Sequence, residues 1–398
     1  MDETKKSARE NKKNYKKGTK RYEVVTVMMT EGMITSDGIR AIDRTGKGRE
    51  YQKTLKRMKT EGVVEDAFVG RGDKGWRLAN IDDKGQAYLE KMPVGLYGWY
   101  KNGAEEQGWT LAMKNTKDAR RKRAIRTSDV FCLMTGAEID SAFDLSERIK
   151  KRKIPSSFYL SLSSLKNLSL EKQAVDKNGL PAMRAIGAYV TEENIYPVYL
   201  SEKNMTKFVS TDIEEYGITF MQSVAQSFSF PCRLQERKEC IYIAKDTKVF
   251  INMMFPNTSK TKMVQPHLFT TANQNIYSSI YALPYGKDAQ KLIRCMKTRG
   301  WKKNILTSVL QGHTKPQTVI PCDAIDNGCH ELVFCIPDIE RLARFIRIAK
   351  QKNDKQMFRI YCFEWQRKMI EEALDGDYVE VKIVSDDILS PTKKETES

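Results

Sequence analysis

Residues 48–60, Gly48-Arg49-Glu50-Tyr51-Gln52-Lys53-Thr54-Leu55-Lys56-Arg57-Met58-Lys59-Thr60, constrain this chain more than any other stretch. Tyr51, Leu55 and Met58 recur at spacings of four and three, the period of a helix with one apolar face. That leaves Arg49, Lys53, Lys56 and Arg57 outward or flanking, with Lys47 at the entrance, and Glu61-Gly62 stops the helix. Val63–Val69 and Trp76–Ala79 are then expected to pair as a hairpin around Gly70-Arg71-Gly72-Asp73-Lys74-Gly75, whose glycines permit a tight tip. Upstream, Tyr22, Val25, Met28 and Met29 predict a first helix over 21–30 that ends at Gly32. Ile34-Thr35-Ser36-Asp37 is expected to start a short second helix with Ile39 and Ile42 pointing inward.

Two short helices, a basic helix and a glycine-tipped basic hairpin, in that order, spell a winged helix-turn-helix. A helix with cations on its outer face fits the major groove of double-stranded DNA, and Arg71 and Lys74 at the hairpin tip suit a neighbouring minor groove or its phosphates. Charge distribution points the same way. The chain carries a net +17, and residues 1–126 hold 30 Lys/Arg against 18 Asp/Glu, a surplus of 12 that calls for a polyanion partner. Residues 1–20 read as a disordered basic arm with almost nothing to bury. The run Lys117–Arg126 reads as the solvated face of a helix, with added phosphate contact as the sharper alternative.

The expected organisation is a winged-helix domain over 21–92, a helical linker with the basic run over 93–150, an α/β domain over 151–388 and a frayed tail over 389–398. Hydrophobic content of 40% is enough for real cores. From about residue 155 the texture becomes strand and turn: Phe158–Leu162, then Ala185–Val190 and Ile195–Leu200 as a hairpin, a helix near 211–228, and strands at Cys240–Ala244 and Lys248–Ile251. Near the C-terminus strand, helix, strand, helix and strand follow at short spacings over Glu331–Val384, a pattern that predicts a βαβαβ unit. The fold class is thus α+β or α/β, a winged helix followed by a mixed α/β domain. No stretch is apolar enough to span a bilayer and the N-terminus has no apolar secretion core, so a cytoplasmic protein with no membrane partner is expected. The eight scattered cysteines read as reduced, buried thiols. A homodimer is compatible with the fold class, although no heptad marks an interface helix.

Enzyme chemistry has one foothold. Glu380 and Lys382 alternate onto one side of a strand, as a metal-dependent nuclease of the restriction-endonuclease type requires, with Asp377, Glu364 or Asp338 as the further acid and magnesium as the cation. Glu-x-Lys recurs by chance very often, and an edge-strand solvent face is the plainer account. The three histidines, His267, His313 and His330, do not cluster, which argues against relaxase chemistry. Cys322, Cys329, His330 and Cys335 lack the Cys-x-x-Cys spacing of a zinc knuckle. The loop Gly70–Gly75 lacks the Gly-Lys-Ser/Thr ending of a nucleotide-binding loop. Tyr277, Tyr281 and Tyr285, four apart, read as core rather than as a base-stacking stripe.

Arg77-Leu78-Ala79-Asn80-Ile81-Asp82-Asp83-Lys84-Gly85-Gln86-Ala87-Tyr88-Leu89 resembles the wing-to-helix junction of many bacterial winged-helix proteins. More widely, the basic 117–126 run, Arg184-Ala185-Ile186-Gly187, Phe208–Glu214 and Tyr361-Cys362-Phe363-Glu364-Trp365-Gln366 resemble proteins of the replication-relaxation type, carried by plasmids and conjugative elements of Gram-positive bacteria. The resemblance implies a role in replication, DNA relaxation or mobilisation of such an element, alongside replication or mobilisation proteins, without fixing a biochemical activity.

Overall fold

The computed structural model describes residues 18–69, 73–79, 118–141, 157–165, 184–202, 211–227, 238–255, 277–311 and 320–390. They belong to two compact mixed α/β units, Met1–Asp176 and Lys177–Ser398. Most of the expected basic arm, residues 70–72 of the expected hairpin tip with Arg71, and the terminal tail from 391 lie outside the described residues, whereas Asp73, Lys74 and Gly75, expected in the tip, belong to a strand.

In the first unit, helix α1 (Lys20–Glu31) is capped by Thr19, whose hydroxyl accepts from the Tyr22 N–H at 3.3 Å. It stops at Gly32, φ 78°, a left-handed position that glycine adopts without a Cβ clash. Val24 and Val27 are buried along with Val25 and Met28, so α1 is enclosed on more than the one face its spacing suggests. Ile34-Thr35 departs from expectation. It forms a two-residue strand, β1, antiparallel to the hairpin, before α2 (Ser36–Ile42) begins. Both roles coexist because Thr35 is β-branched, which suits a pleated edge, while its hydroxyl caps α2 by accepting from the Gly38 N–H at 2.9 Å. Helix α3 (Arg49–Thr60) follows, then strands β2 (Val64–Val69) and β3 (Asp73–Leu78), which pair antiparallel from Val64 opposite Leu78 to Val69 opposite Asp73. The three-stranded sheet has the order β1-β3-β2.

Helix α4 (Asp118–Gly136) falls in the segment expected to be a helical linker, and it packs against α1, α2 and β1. The Thr35 hydroxyl donates to the Asp129 carboxylate, and Ser128 Oγ donates to the Met33 carbonyl at 2.7 Å. Helices α2 and α4 touch so closely at Gly38 that an added Cβ would stand 2.8 Å from Cys132 Sγ. A short strand β4 (Asp140–Ser141) pairs in parallel with β5 (Ser157–Ser161).

The second unit opens with the predicted hairpin, β6 (Gly187–Thr191) antiparallel to β7 (Ile195–Ser201). Helix α5 (Thr211–Ser227) leads to β8 (Glu239–Ala244), which runs parallel to β7 and to β9 (Ser279–Pro284). Between β8 and β9 lies a correction: Lys248–Ile251, expected as a strand, begins helix α6 (Lys248–Met254). Its buried Val249, Phe250, Met253 and Met254 follow the helical period, which a four-residue window cannot register. Tyr277 and Tyr281 are fully enclosed, as expected, Tyr281 on strand β9, whereas Tyr285, also expected in the core, is half-buried. Helices α7 (Lys287–Cys295) and α8 (Trp301–Val309) follow.

A four-stranded sheet closes the unit in the order β10-β11-β12-β13. β10 (Ala324–Asp326) is antiparallel to β11 (Cys329–Val333), and β11, β12 (Phe358–Phe363) and β13 (Glu380–Val384) are parallel. Helices α9 (Ile339–Lys352) and α10 (Glu364–Leu374) lie between them in sequence. Asp338 caps α9 by accepting from the N–H groups of Glu340 and Arg341, which places it in a structural role. Cysteines 132, 240, 335 and 362 are buried and unbridged, and burial pushes their thiols up. Among the described residues no helix is long and apolar enough to cross a membrane.

Candidate nucleic-acid interface

Helix α3 is fixed from below. Tyr51, Leu55 and Met58 are buried, at 6%, 1% and 0% exposure, as their spacing predicts. The Tyr51 hydroxyl also donates to the Glu23 carboxylate of α1. Burial, and then that carboxylate, push the phenol up, so Tyr51 stays a neutral donor. Lys59 pairs with Asp66 of β2, and the Val63 N–H donates to the Met58 carbonyl at 2.9 Å, so helix and hairpin are tied at their junction.

The loop into α3 is organised by Asp43, which the sequence reading did not single out. Its carboxylate accepts from the Thr45 N–H at 3.1 Å, the Thr45 hydroxyl at 2.8 Å and the Gly48 N–H at 2.6 Å. Gly48, φ 69°, then opens the helix, and a Cβ there would meet Ile39 Cγ2 at 3.0 Å. The signal for this staple was an Asp followed by Thr-Gly, side-chain chemistry typical of tight turns. Its effect is to hold Lys47 and Arg49 at a defined place.

Lys47, Arg49, Lys53, Lys56 and Arg57 are all exposed. At 100° per residue, Arg49, Lys53, Lys56 and Arg57 share the side of α3 opposite Tyr51, Leu55 and Met58. Lys53 donates to Glu50 at 2.8 Å, and Glu50 also lies 3.6 Å from Lys20. The Lys53 hydrogen bond, and then the neighbouring positive charges, hold the Glu50 carboxyl below its ordinary value. Among the described residues Lys47, Arg49, Lys56 and Arg57 have no carboxylate partner. An exposed pair such as Lys53–Glu50 is worth little and exchanges readily for another anion. In β3, Lys74 pairs through its backbone with Phe68, while Arg71 lies outside the described residues.

The residues of the nuclease alternative are arranged differently. Glu331, Arg359 and Glu380 align across β11, β12 and β13. Arg359 donates to Glu380 at 2.6 Å and to Glu331 at 2.7 Å, and the Tyr361 hydroxyl also donates to Glu331 at 2.8 Å. The Arg359 guanidinium holds the Glu380 carboxyl low. Asp377 forms an exposed ion pair with Lys355, and Lys382 lies 3.8 Å from Glu380. Glu364 is exposed at the start of α10. Among the described residues no group of three or more His, Cys, Asp and Glu side chains is placed to hold a metal ion. Cys322 Sγ approaches His330 Nδ1 at 3.8 Å.

No protein-family model, no curated protein and no solved structure matches this chain.

Proposed function

We propose that this chain is a double-stranded DNA-binding protein whose first unit contains a winged helix, with α3 as the helix that enters the major groove and β2–β3 as the wing. One observation carries the reading: a rigidly seated helix presents Arg49, Lys53, Lys56 and Arg57 on its outer side, and Lys47, Arg49, Lys56 and Arg57 have no carboxylate partner among the described residues. Cations on a helix of this width fit base edges and the flanking phosphates, and fixed positioning lowers the ordering cost of binding. Arg71 and Lys74 would meet the adjacent backbone from the wing. The second unit, with β11-α9-β12-α10-β13 read as a βαβαβ unit, serves assembly or partner contact. The resemblance to replication-relaxation proteins supports a role in replication or mobilisation of a mobile element, or in its regulation. The nuclease alternative is not advanced, because Glu380 is committed to the Arg359 ladder. Duplex binding by the full chain, with and without Arg49→Ala/Lys53→Ala/Arg57→Ala, tests the proposal: the triple variant is expected to lose binding, and unchanged binding would overturn it.

A further inference from the structure

The outward stripe of α3 is built from hydrogen-bond donors. Tyr51, Leu55 and Met58 fix which side of the helix is buried. With about 100° between successive residues, Arg49, Lys53, Lys56 and Arg57 all fall within roughly 55° of the line opposite them. Arginine and lysine side chains carry N–H donors and no acceptor. Thr60, at the far end of the same line, turns its hydroxyl back to the Lys56 carbonyl at 3.1 Å. The two exposed side chains of α3 with a carbonyl or carboxylate acceptor are Glu50 and Gln52. Both lie roughly 70–90° off that line. Glu50 is also occupied, since Lys53 donates to it at 2.8 Å and Lys20 stands 3.6 Å away.

Base edges in the major groove differ in how many donors they can take. Guanine offers two acceptors, N7 and O6, whereas adenine sets one acceptor beside a donor, thymine one acceptor beside a methyl group, and cytosine a donor alone. A stripe of donors is therefore matched by guanine and opposed by the amino groups of adenine and cytosine. Position along the helix adds to this. The N-terminal residues of a groove helix contact the base edges. Arg49 is the first residue of α3, held there by Gly48, whose N–H donates to Asp43 at 2.6 Å. From Arg49 to Lys56 the stripe covers roughly 10 Å of helix axis, or about three base-pair steps.

We propose that α3 is a guanine reader. Arg49 donates as a fork to N7 and O6 of one guanine, and Lys53 and Lys56 donate to the acceptors of the neighbouring pairs, so the preferred duplex carries a short guanine run in one strand. Arg57, at the edge of the stripe, takes the flanking phosphate. The inference rests on the DNA-binding reading above and adds to it the class of site recognised.

The test is competition binding by the full chain among duplexes of equal length. One has a central guanine run, one has mixed A and T at those positions, and one has the run in 7-deazaguanine, which replaces N7 by C–H and leaves pairing and phosphate charge intact. Wild type is expected to favour the guanine duplex over both others by at least about fivefold, the low end for one good bidentate contact. Arg49→Gln, whose new side chain sets a donor beside an acceptor, is expected to shift the preference at one position from guanine to adenine, read on duplexes with adenine at each position of the run in turn. Equal affinity for the guanine and A/T duplexes, or for the guanine and 7-deazaguanine duplexes, with binding still lost in the α3 triple variant, would overturn this inference alone. A guanine preference unchanged in Arg49→Gln would overturn it too. Absence of duplex binding by wild type would remove both readings. The 7-deazaguanine comparison uses the unaltered protein, so it stands should a variant unfold.

Discussion

Glu31, at the end of α1, is 1% exposed, with Ser163 Oγ at 3.4 Å and its Oε1 without a hydrogen-bond partner. Burial raises its carboxyl to about 7, only partly opposed by hydrogen bonds from Ser161 and Ser163. A folded-state value above the unfolded one favours the protonated native form. The stability this group contributes is therefore fully present below about pH 4.5, falls as pH rises towards 7 and is constant above it. A rise from 4.5 to about 7 corresponds to roughly 3 kcal/mol as an upper figure. Glu31→Gln is expected to be neutral at pH 4.5 and stabilising by up to about that amount at pH 8, read by urea unfolding at both; a stability difference that does not change with pH would contradict the assignment. Arg359 gives a second contrast. Glu331 is wholly buried, and removing Arg359 takes away the guanidinium bonded to it, so Arg359→Ala should cost about 3 kcal/mol. The Glu380 side chain is 41% exposed, and Glu380→Ala should cost about 1 kcal/mol or less. Equal losses in denaturant unfolding would refute the view of this ladder as a structural one centred on Glu331.

At the scale of elements, α3 was legible because its three apolar residues and its cations obey one period, and the hairpin because glycines punctuate it. The seat of the site was less legible. Asp43 acts through turn geometry, which periodicity does not encode, and β1 is too short for any alternation to register. α4 was expected as a helix but only as a solvated linker: its basic run leads into Thr127-Ser128-Asp129, and these polar residues are buried, with Ser128 bonded to Met33 and Asp129 to Thr35. Long-range partners of this kind lie some 95 positions away and leave no local pattern. The α2–α4 contact makes a direct prediction. Gly38→Ala places a methyl group 2.8 Å from Cys132 Sγ, and overpacking of this kind costs about 1–3 kcal/mol. The thermal midpoint should fall, and Cys132→Ala should restore part of it by making room. Gly38→Ala without any loss would show that α2 and α4 are not in the tight contact described.

For the whole molecule, composition located the positive charge in the first third of the chain, and the fold gathers part of it onto one side of α3. The C-terminal strand-helix alternation was readable because strand-length runs such as Phe358–Phe363 alternate with helices that bury one apolar face, Leu342, Phe345 and Ile346 in α9 and Met369, Ile370 and Leu374 in α10. The nuclease reading came from the same strand, where Glu380 and Lys382 do share a side. What the sequence could not reveal was Arg359, 21 residues away, which occupies that carboxylate. The central claim is that α3 reads duplex DNA. The measurement that tests it most directly is the salt dependence of duplex binding for the full chain and for Arg49→Ala/Lys53→Ala/Arg57→Ala. Wild type should bind with log K falling steeply with log salt, by several units of slope, and the triple variant should lose both affinity and about three units of that slope. Binding that is insensitive to salt, or equally strong in the triple variant, would contradict the account.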